Sequence, residues 1–171
     1  MSIGIFYGSS SGVTRGVANA LAQELDDAEL IDMEEDFDGV DQLLEYDVLL
    51  LGSSTWGQGD PQRDWVDALY ELDNDRPDFS GKKVAFFGAG DQEKHGEHFV
   101  SALGKMYDLF TALGATGGFG FTSPEEYKYE FSLALKDGKF CGLAIDDLNQ
   151  KDLTPARIKN WADQLKNEMG I

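Results

Sequence analysis

Ile3-Gly4-Ile5-Phe6 runs straight into Tyr7-Gly8-Ser9-Ser10-Ser11-Gly12-Val13-Thr14, and this junction decides the fold. The apolar run reads as a buried strand from about Ile3 to Tyr7. Val13, Val17, Leu21 and Leu25 then recur at helical spacing, so a helix begins near Val13 and runs to Leu25. The turn between them is rich in serine and glycine and carries no positive charge before Arg15. Backbone N–H groups at a helix start attract anions, and hydroxyls add donors. Such a loop suits a phosphate dianion without any lysine. It lacks the Gly-Lys-Ser/Thr ending of a nucleoside-triphosphatase loop and the Gly-x-Gly-x-x-Gly spacing of a dinucleotide fold. The alternative for the turn taken alone is a capped strand-to-helix connection.

Working outward, strands and helices alternate. A short second strand lies near Glu29 to Met33, and Val40 to Leu44 reads as a small helix. Val48 to Leu51 is a nearly continuous apolar run, the pattern of a parallel strand covered on both faces. Asp60 and Pro61 read as the cap and first position of the next helix, which carries Trp65, Val66, Leu69 and Leu72. A fourth strand spans Val84 to Gly88. The following helix covers about Phe99 to Leu113, with Val100, Leu103, Tyr107 and Phe110 in one stripe. A fifth strand comes in two pieces, Gly117 to Phe121 and Cys141 to Ile145, separated by an aromatic and polar insertion at about 122–140. Thr154-Pro155 opens the last helix. These elements make one α/β domain over residues 1–171, a doubly wound five-stranded parallel sheet with its fifth strand split.

The 171 residues and 42% hydrophobic content suit a single domain with a full core. One cysteine, Cys141, excludes an internal disulfide and fits a reducing cytoplasm. Neither a signal segment nor a membrane-length apolar run is present, so no membrane partner is expected. A net charge of -18 repels nucleic acid and favours partners with basic faces. A monomer is the economical expectation, with a transient dimer left open.

In doubly wound sheets ligands bind beyond the carboxyl ends of the strands, where strand order reverses. Three loops therefore carry the expected function. The first is Gly8 to Thr14. The second, Ser53-Ser54-Thr55-Trp56-Gly57-Gln58-Gly59-Asp60, sets an indole among small residues, where it can stack on a planar ligand. The third, Gly88-Ala89-Gly90-Asp91-Gln92-Glu93-Lys94-His95, offers backbone groups for the edge of a flat heterocycle, and His95 offers a second plane. A phosphate cradle, an aromatic plane and polar edge contacts at one end of a sheet suit a mononucleotide with a large flat ring. No acid–base, nucleophilic or metal-ligating constellation is present.

With these loops the chain resembles the long-chain flavodoxins from Ile3 to Met169. The residues that carry the resemblance are Phe6 to Thr14, Thr55-Trp56-Gly57, Gly88-Ala89-Gly90-Asp91-Gln92 and Asp137-Gly138-Lys139-Phe140-Cys141-Gly142-Leu143-Ala144-Ile145-Asp146. The resemblance implies a three-layer, flavodoxin-like fold with strand order 2-1-3-4-5. It implies non-covalently bound FMN and a low-potential one-electron carrier that shuttles between semiquinone and hydroquinone, rather than an enzyme. By the same resemblance Ser9, Ser10, Ser11, Gly12, Val13 and Thr14 hold the phosphate. Thr55 and Asp146 match positions at the phosphate end and the ribityl chain. Trp56, flanked by Ser54, Gly57 and Gly59, covers the inner ring face. Gly88, Ala89, Gly90, Asp91 and Gln92 lead to the pyrimidine edge. Gly57 matches the residue whose carbonyl turns toward flavin N5, and glycine tolerates the positive φ this needs. The family usually has tyrosine where His95 stands, on the outer ring face. Implied partners are a ferredoxin/flavodoxin–NADP reductase and low-potential oxidoreductases.

Two other functions share the architecture. An FMN-dependent NAD(P)H quinone reductase needs a substrate pocket over the flavin, and stays open as the alternative. A phosphoacceptor signalling domain needs an acidic pair after the first strand and an aspartate ending the third. Tyr7-Gly8-Ser9 and Ser53-Ser54 supply neither.

Overall fold

Every residue of Ile3–Gly8 (β1) is buried, as a strand covered on both faces requires. The computed structural model describes residues 1–171. After β1 come α1 (Val13–Glu24), β2 (Ala28–Asp32), a 3-10 turn at Val40–Glu45, β3 (Val48–Ser53), β4 (Thr55–Trp56) and β5 (Asp60–Pro61). Next are α2 (Arg63–Asp75), β6 (Lys83–Ala89), α3 (Ser101–Ala112), β7 (Leu135–Lys136), β8 (Lys139–Phe140), β9 (Gly142–Ile145) and α4 (Thr154–Met169).

The main sheet has the order β2-β1-β3-β6-β9, with every pairing parallel. This is the 2-1-3-4-5 order that the resemblance implies. Alternate side chains of each strand face opposite layers, as the period of two demands. Phe6, Leu49, Leu51, Val84 and Phe86 pack with Trp65 and Leu72 of α2 and with Met106 and Phe110 of α3. Ile5, Tyr7, Val48, Leu50, Ala85 and Phe87 pack with Val17 and Leu21 of α1 and with Trp161 and Leu165 of α4. Each large side chain buried in this way contributes roughly 1.5–3 kcal/mol. The chain leaves β1 toward one edge and returns through β3 on its other side. The loops after β1 and β3 therefore flank the reversal point.

Three sequence expectations are corrected here. Asp60 and Pro61 do not start the second helix. They pair antiparallel with Thr55 and Trp56 across a tight turn, in which Gly57 and Gly59 take φ of 54° and 89°. The helix begins after them, and Gln62 is its cap, its side chain accepting the Asp64 N–H at 2.9 Å. Gly117 to Phe121 is not a strand. Gly118 and Gly120 adopt φ of 91° and 71°, which breaks an extended run. Just before that stretch Thr116 bridges to Lys83, on the same edge of β6 that β9 extends further along. Within 122–140 the chain also forms the small hairpin of β7 and β8, which no local period announced. The stripe helix starts at Ser101 rather than Phe99, because Val100 sits in a left-handed conformation at φ 46°.

Candidate functional site

The loops after β1, β3, β6 and β9 enclose a cleft of about 420 Å³. That size is in the range of small-molecule sites. Ser11, Val13, Ser54, Thr55, Trp56, Gly57, Ala89, Gly90, Asp91 and His95 line it, as the sequence leads one to expect. His98, Asp147 and Leu148 line it too.

The first loop is built around Gly12, whose φ of 95° favours glycine. Ser9 Oγ accepts the Gly12 N–H at 3.1 Å and closes the turn. The chain then enters α1 with no acidic residue in its first turn and no side-chain cap on its N–H groups. The positive end of the helix is therefore open to an anion. Thr14 is 1% exposed, and its hydroxyl has no hydrogen-bond partner in the protein. Buried hydroxyls are rarely left so, and this one stands in the first turn of α1.

The second loop is the β4–β5 turn. Trp56 is 48% exposed, and its indole N–H donates to Ser54 Oγ at 2.8 Å, which fixes the ring's tilt. Thr55 Oγ1 accepts the Ala102 N–H at 3.1 Å and ties the turn to the start of α3. Gly59 does not line the cleft: a Cβ there would press on Ser101 and His98, so its task is close packing behind the turn. Gly88 likewise lies inside β6, where a Cβ would overlap the Ser53 carbonyl.

In the third loop the Asp91 carboxylate accepts N–H bonds from Glu93 and Lys94 at 3.1 and 3.0 Å, and from the Asn149 side chain at 3.0 Å. Burial pushes its pKa up, but these bonds outweigh it and hold the group below the usual carboxylate value. The loop is thus a pinned turn. His95 is exposed on the rim, its N–H donating to the Asp91 carbonyl at 2.9 Å.

Asp146 is a correction. It is fully buried and does not line the cleft. One carboxylate oxygen accepts the Gln92 N–H at 3.0 Å, the Gln92 side-chain amide at 2.8 Å and the Asn149 amide at 2.9 Å. The other accepts the Asn149 N–H at 3.1 Å. Asp146 therefore holds the loops in place, and its neighbours Asp147 and Leu148 face the cleft. Gln92 is buried beside it, its side-chain Oε1 accepting the Lys128 N–H at 2.6 Å from the insertion. Of the residues that sequence reading missed, Asp147 and Leu148 adjoin a named position. His98 follows His95 by three residues, one turn on, and its Nδ1 is buried without a partner.

No lysine or arginine lines the cleft. Dipoles and hydroxyls face its anion end, while Trp56 and His95 offer planes on its walls. The arrangement suits an anionic tail joined to a flat ring.

Comparison with known proteins agrees. A sequence family described as Flavodoxin matches residues 5–161. Flavodoxin 1 of Azotobacter vinelandii is 54% identical over 168 residues, covering 97% of this chain and 96% of that protein. A flavodoxin of Synechococcus elongatus is 41% identical over 171 residues, covering 99% and 98%. Among solved structures, Fusobacterium nucleatum flavodoxin bound to flavin mononucleotide superposes with a TM-score of 0.89 at 34% identity, covering 98% of each chain.

Proposed function

The chain belongs to the flavodoxin family and is an FMN-based electron carrier rather than an enzyme; we propose how its own residues hold the cofactor and meet its partners. The observation that carries the proposal is the Thr14 hydroxyl, buried without a partner beside the uncapped start of α1. A phosphate placed there satisfies it. Ser9, Ser10, Ser11, Gly12 and Val13 supply the remaining hydroxyl and N–H groups of that cradle. Trp56 covers one ring face from the β4–β5 turn, with Ser54 setting its tilt and Thr55 anchoring the turn. Ala89, Gly90 and Asp91 present backbone to the ring edge, and His95 closes the other side. Gly59, Gly88 and Asp146 act from behind, by close packing and by hydrogen bonds.

Bound FMN supplies the redox chemistry, taking up and giving back electrons one at a time. The protein sets the conditions. Asp91 and Asp147 on the cleft wall and the absence of any Lys or Arg lining it disfavour added negative charge on a bound ring. That makes the carrier low-potential. More distant surface carboxylates matter less, since salt screens them over about 8–10 Å.

The physiological partners proposed are a ferredoxin/flavodoxin–NADP reductase and low-potential oxidoreductases with basic faces. The net charge of -18 supports this. No helix is long and apolar enough to cross a membrane. Cys141 is a buried free thiol, which supports a cytoplasmic setting. The cores on the two faces share one sheet, which supports a single domain.

Titration of FMN into apoprotein tests the proposal. One equivalent is expected to bind and to quench Trp56 fluorescence. Protein that stays colourless in excess FMN refutes it.

A further inference from the structure

Gln62 is fully buried, although it lies between two surface turns. Both hydrogens of its side-chain amide are engaged: Nε2 donates to Ser10 Oγ at 3.1 Å and to Asp64 Oδ2 at 2.8 Å. Its Oε1 accepts the Asp64 N–H at 2.9 Å, and its own N–H donates to Ser53 Oγ at 2.9 Å. Asp64 thus presents an acceptor to one end of the amide and a donor to the other. A flipped amide would set like against like at both contacts. The orientation is therefore locked. The amide also fills the space where a Cβ at Gly8 would lie, so the end of β1 is shaped to receive it.

The consequence falls on Ser10, an exposed serine of the anion loop. A serine hydroxyl has one hydrogen to donate and lone pairs to accept. Gln62 occupies a lone pair, so the Ser10 hydrogen stays available on the solvent side of the loop. We propose that Gln62 is a positioning residue that makes Ser10 a donor toward the anionic end of the ligand. This rests on the FMN reading above.

The path continues to the second loop. Ser53 Oγ, accepting from Gln62, donates to the Ser54 carbonyl at 2.8 Å, and Ser54 Oγ takes the Trp56 indole N–H. Gln62 therefore joins the phosphate loop to the loop that carries the ring-covering indole, across 52 residues of sequence. Its action on the ligand is confined to Ser10, because the bonds on the Ser53 side start from its main chain and survive side-chain replacement.

Gln62→Glu, Ser10→Ala and the double variant test this, with FMN and riboflavin as separate probes titrated into each apoprotein. Glutamate offers acceptors only, so the Ser10 hydrogen turns inward to it and a charge faces the phosphate. FMN affinity is expected to fall about tenfold or more, on the usual strength of hydrogen bonds to charged groups. Riboflavin, which lacks the phosphate, should bind within about twofold of wild type if only that bond is touched. Ser10→Ala should weaken FMN about tenfold alone, yet add less than about threefold to Gln62→Glu, because the two remove one interaction. Where Gln62→Glu does not fold, Gln62→Met keeps the volume without the donor, and a severalfold loss confined to FMN supports the proposal. Equal losses for FMN and riboflavin overturn it, as does unchanged FMN binding in either Gln62 variant. Fully additive effects of the two substitutions do so too. Wild-type protein that binds neither flavin overturns the FMN reading itself, and this inference with it.

Discussion

Asp146 and Gln92 lie 54 residues apart in sequence, yet one carboxylate oxygen of Asp146 accepts both the main-chain N–H and the side-chain amide of Gln92, at 3.0 and 2.8 Å. The pair binds the loop after β6 to the turn after β9 beneath the cleft. Asp146→Asn replaces one acceptor by a donor, so at least one of the four buried bonds that Asp146 accepts from Gln92 and Asn149 is lost. We expect destabilisation of about 1–3 kcal/mol, read as a lower urea midpoint with an unchanged m-value. FMN affinity should fall with it, since Asp91 and Leu148 lose their common support. Unaltered stability would show the pair to be dispensable.

Thr14→Val is expected to act in opposite directions on the two forms. In the apoprotein it removes a buried hydroxyl that has no partner, so thermal stability should hold or rise by about 0.5–1 kcal/mol. With Thr14 as the proposed donor to the phosphate, FMN affinity should drop about tenfold. Parallel melting curves with and without FMN separate the two effects. An apoprotein weakened as much as the complex counts against a ligand-facing hydroxyl.

Gly57 has φ of 54° in the tight turn that presents Trp56, with Asp60 Oδ2 3.3 Å from where a Cβ would lie. Gly57→Ala should destabilise the protein by about 1 kcal/mol, and Gly57→Asn by less, because asparagine tolerates the left-handed region better. If carbonyl reorientation at this peptide follows reduction, Gly57→Asn also narrows the gap between the two midpoint potentials in a potentiometric titration. Equal stabilities for the Ala and Gly proteins would remove backbone strain as the reason for glycine here.

His95 stands exposed on the cleft rim. His95→Tyr supplies a larger plane and should tighten FMN binding severalfold, as expected for an aromatic pair worth about 0.5–1.5 kcal/mol. FMN titrations of both apoproteins decide the matter, and equal affinities would place His95 away from the ring.

Tyr127 anchors the insertion by donating its hydroxyl to the Ala144 carbonyl at 2.6 Å, with the Arg157 guanidinium 4.3 Å from its ring centre. Burial raises its pKa to about 12, outweighing the lowering by Arg157. Since the folded value lies above the ordinary value of about 10, the neutral phenol stabilises the fold fully below pH 10. That contribution fades as pH rises through about 12. Tyr127→Phe should lose the hydrogen bond, but also this alkaline dependence. Its stability deficit relative to wild type therefore shrinks between pH 10 and 12, measured by urea unfolding. A deficit that stays constant over that window would rule out the linkage.

Much of the fold was legible because its signals are local. Val48 to Leu51 is apolar at every position, which only a strand covered on both faces needs, and Ile158, Trp161, Leu165 and Met169 repeat at helical spacing. The errors came where local signals competed. Asp60-Pro61 has the chemistry of a helix start, but Gly57 and Gly59 close a hairpin there first, and the cap passes to Gln62. Gly117 to Phe121 has strand-like residues, but two of its glycines sit at positive φ.

By itself the sequence determined the strand and helix alternation, the parallel sheet, and which loops meet at one rim. Side-chain period and turn chemistry depend only on near neighbours, and so can be read along the chain. The tertiary structure alone decided which buried polar groups find each other across that rim. It set Asp146 behind the cleft and Asp147 and Leu148 in it, seated Gln62 against Ser10, and left Thr14 without a partner. Those pairings link residues that the sheet brings together from dozens of positions away, and a hydrogen bond depends on distance and direction in space rather than on spacing in the chain.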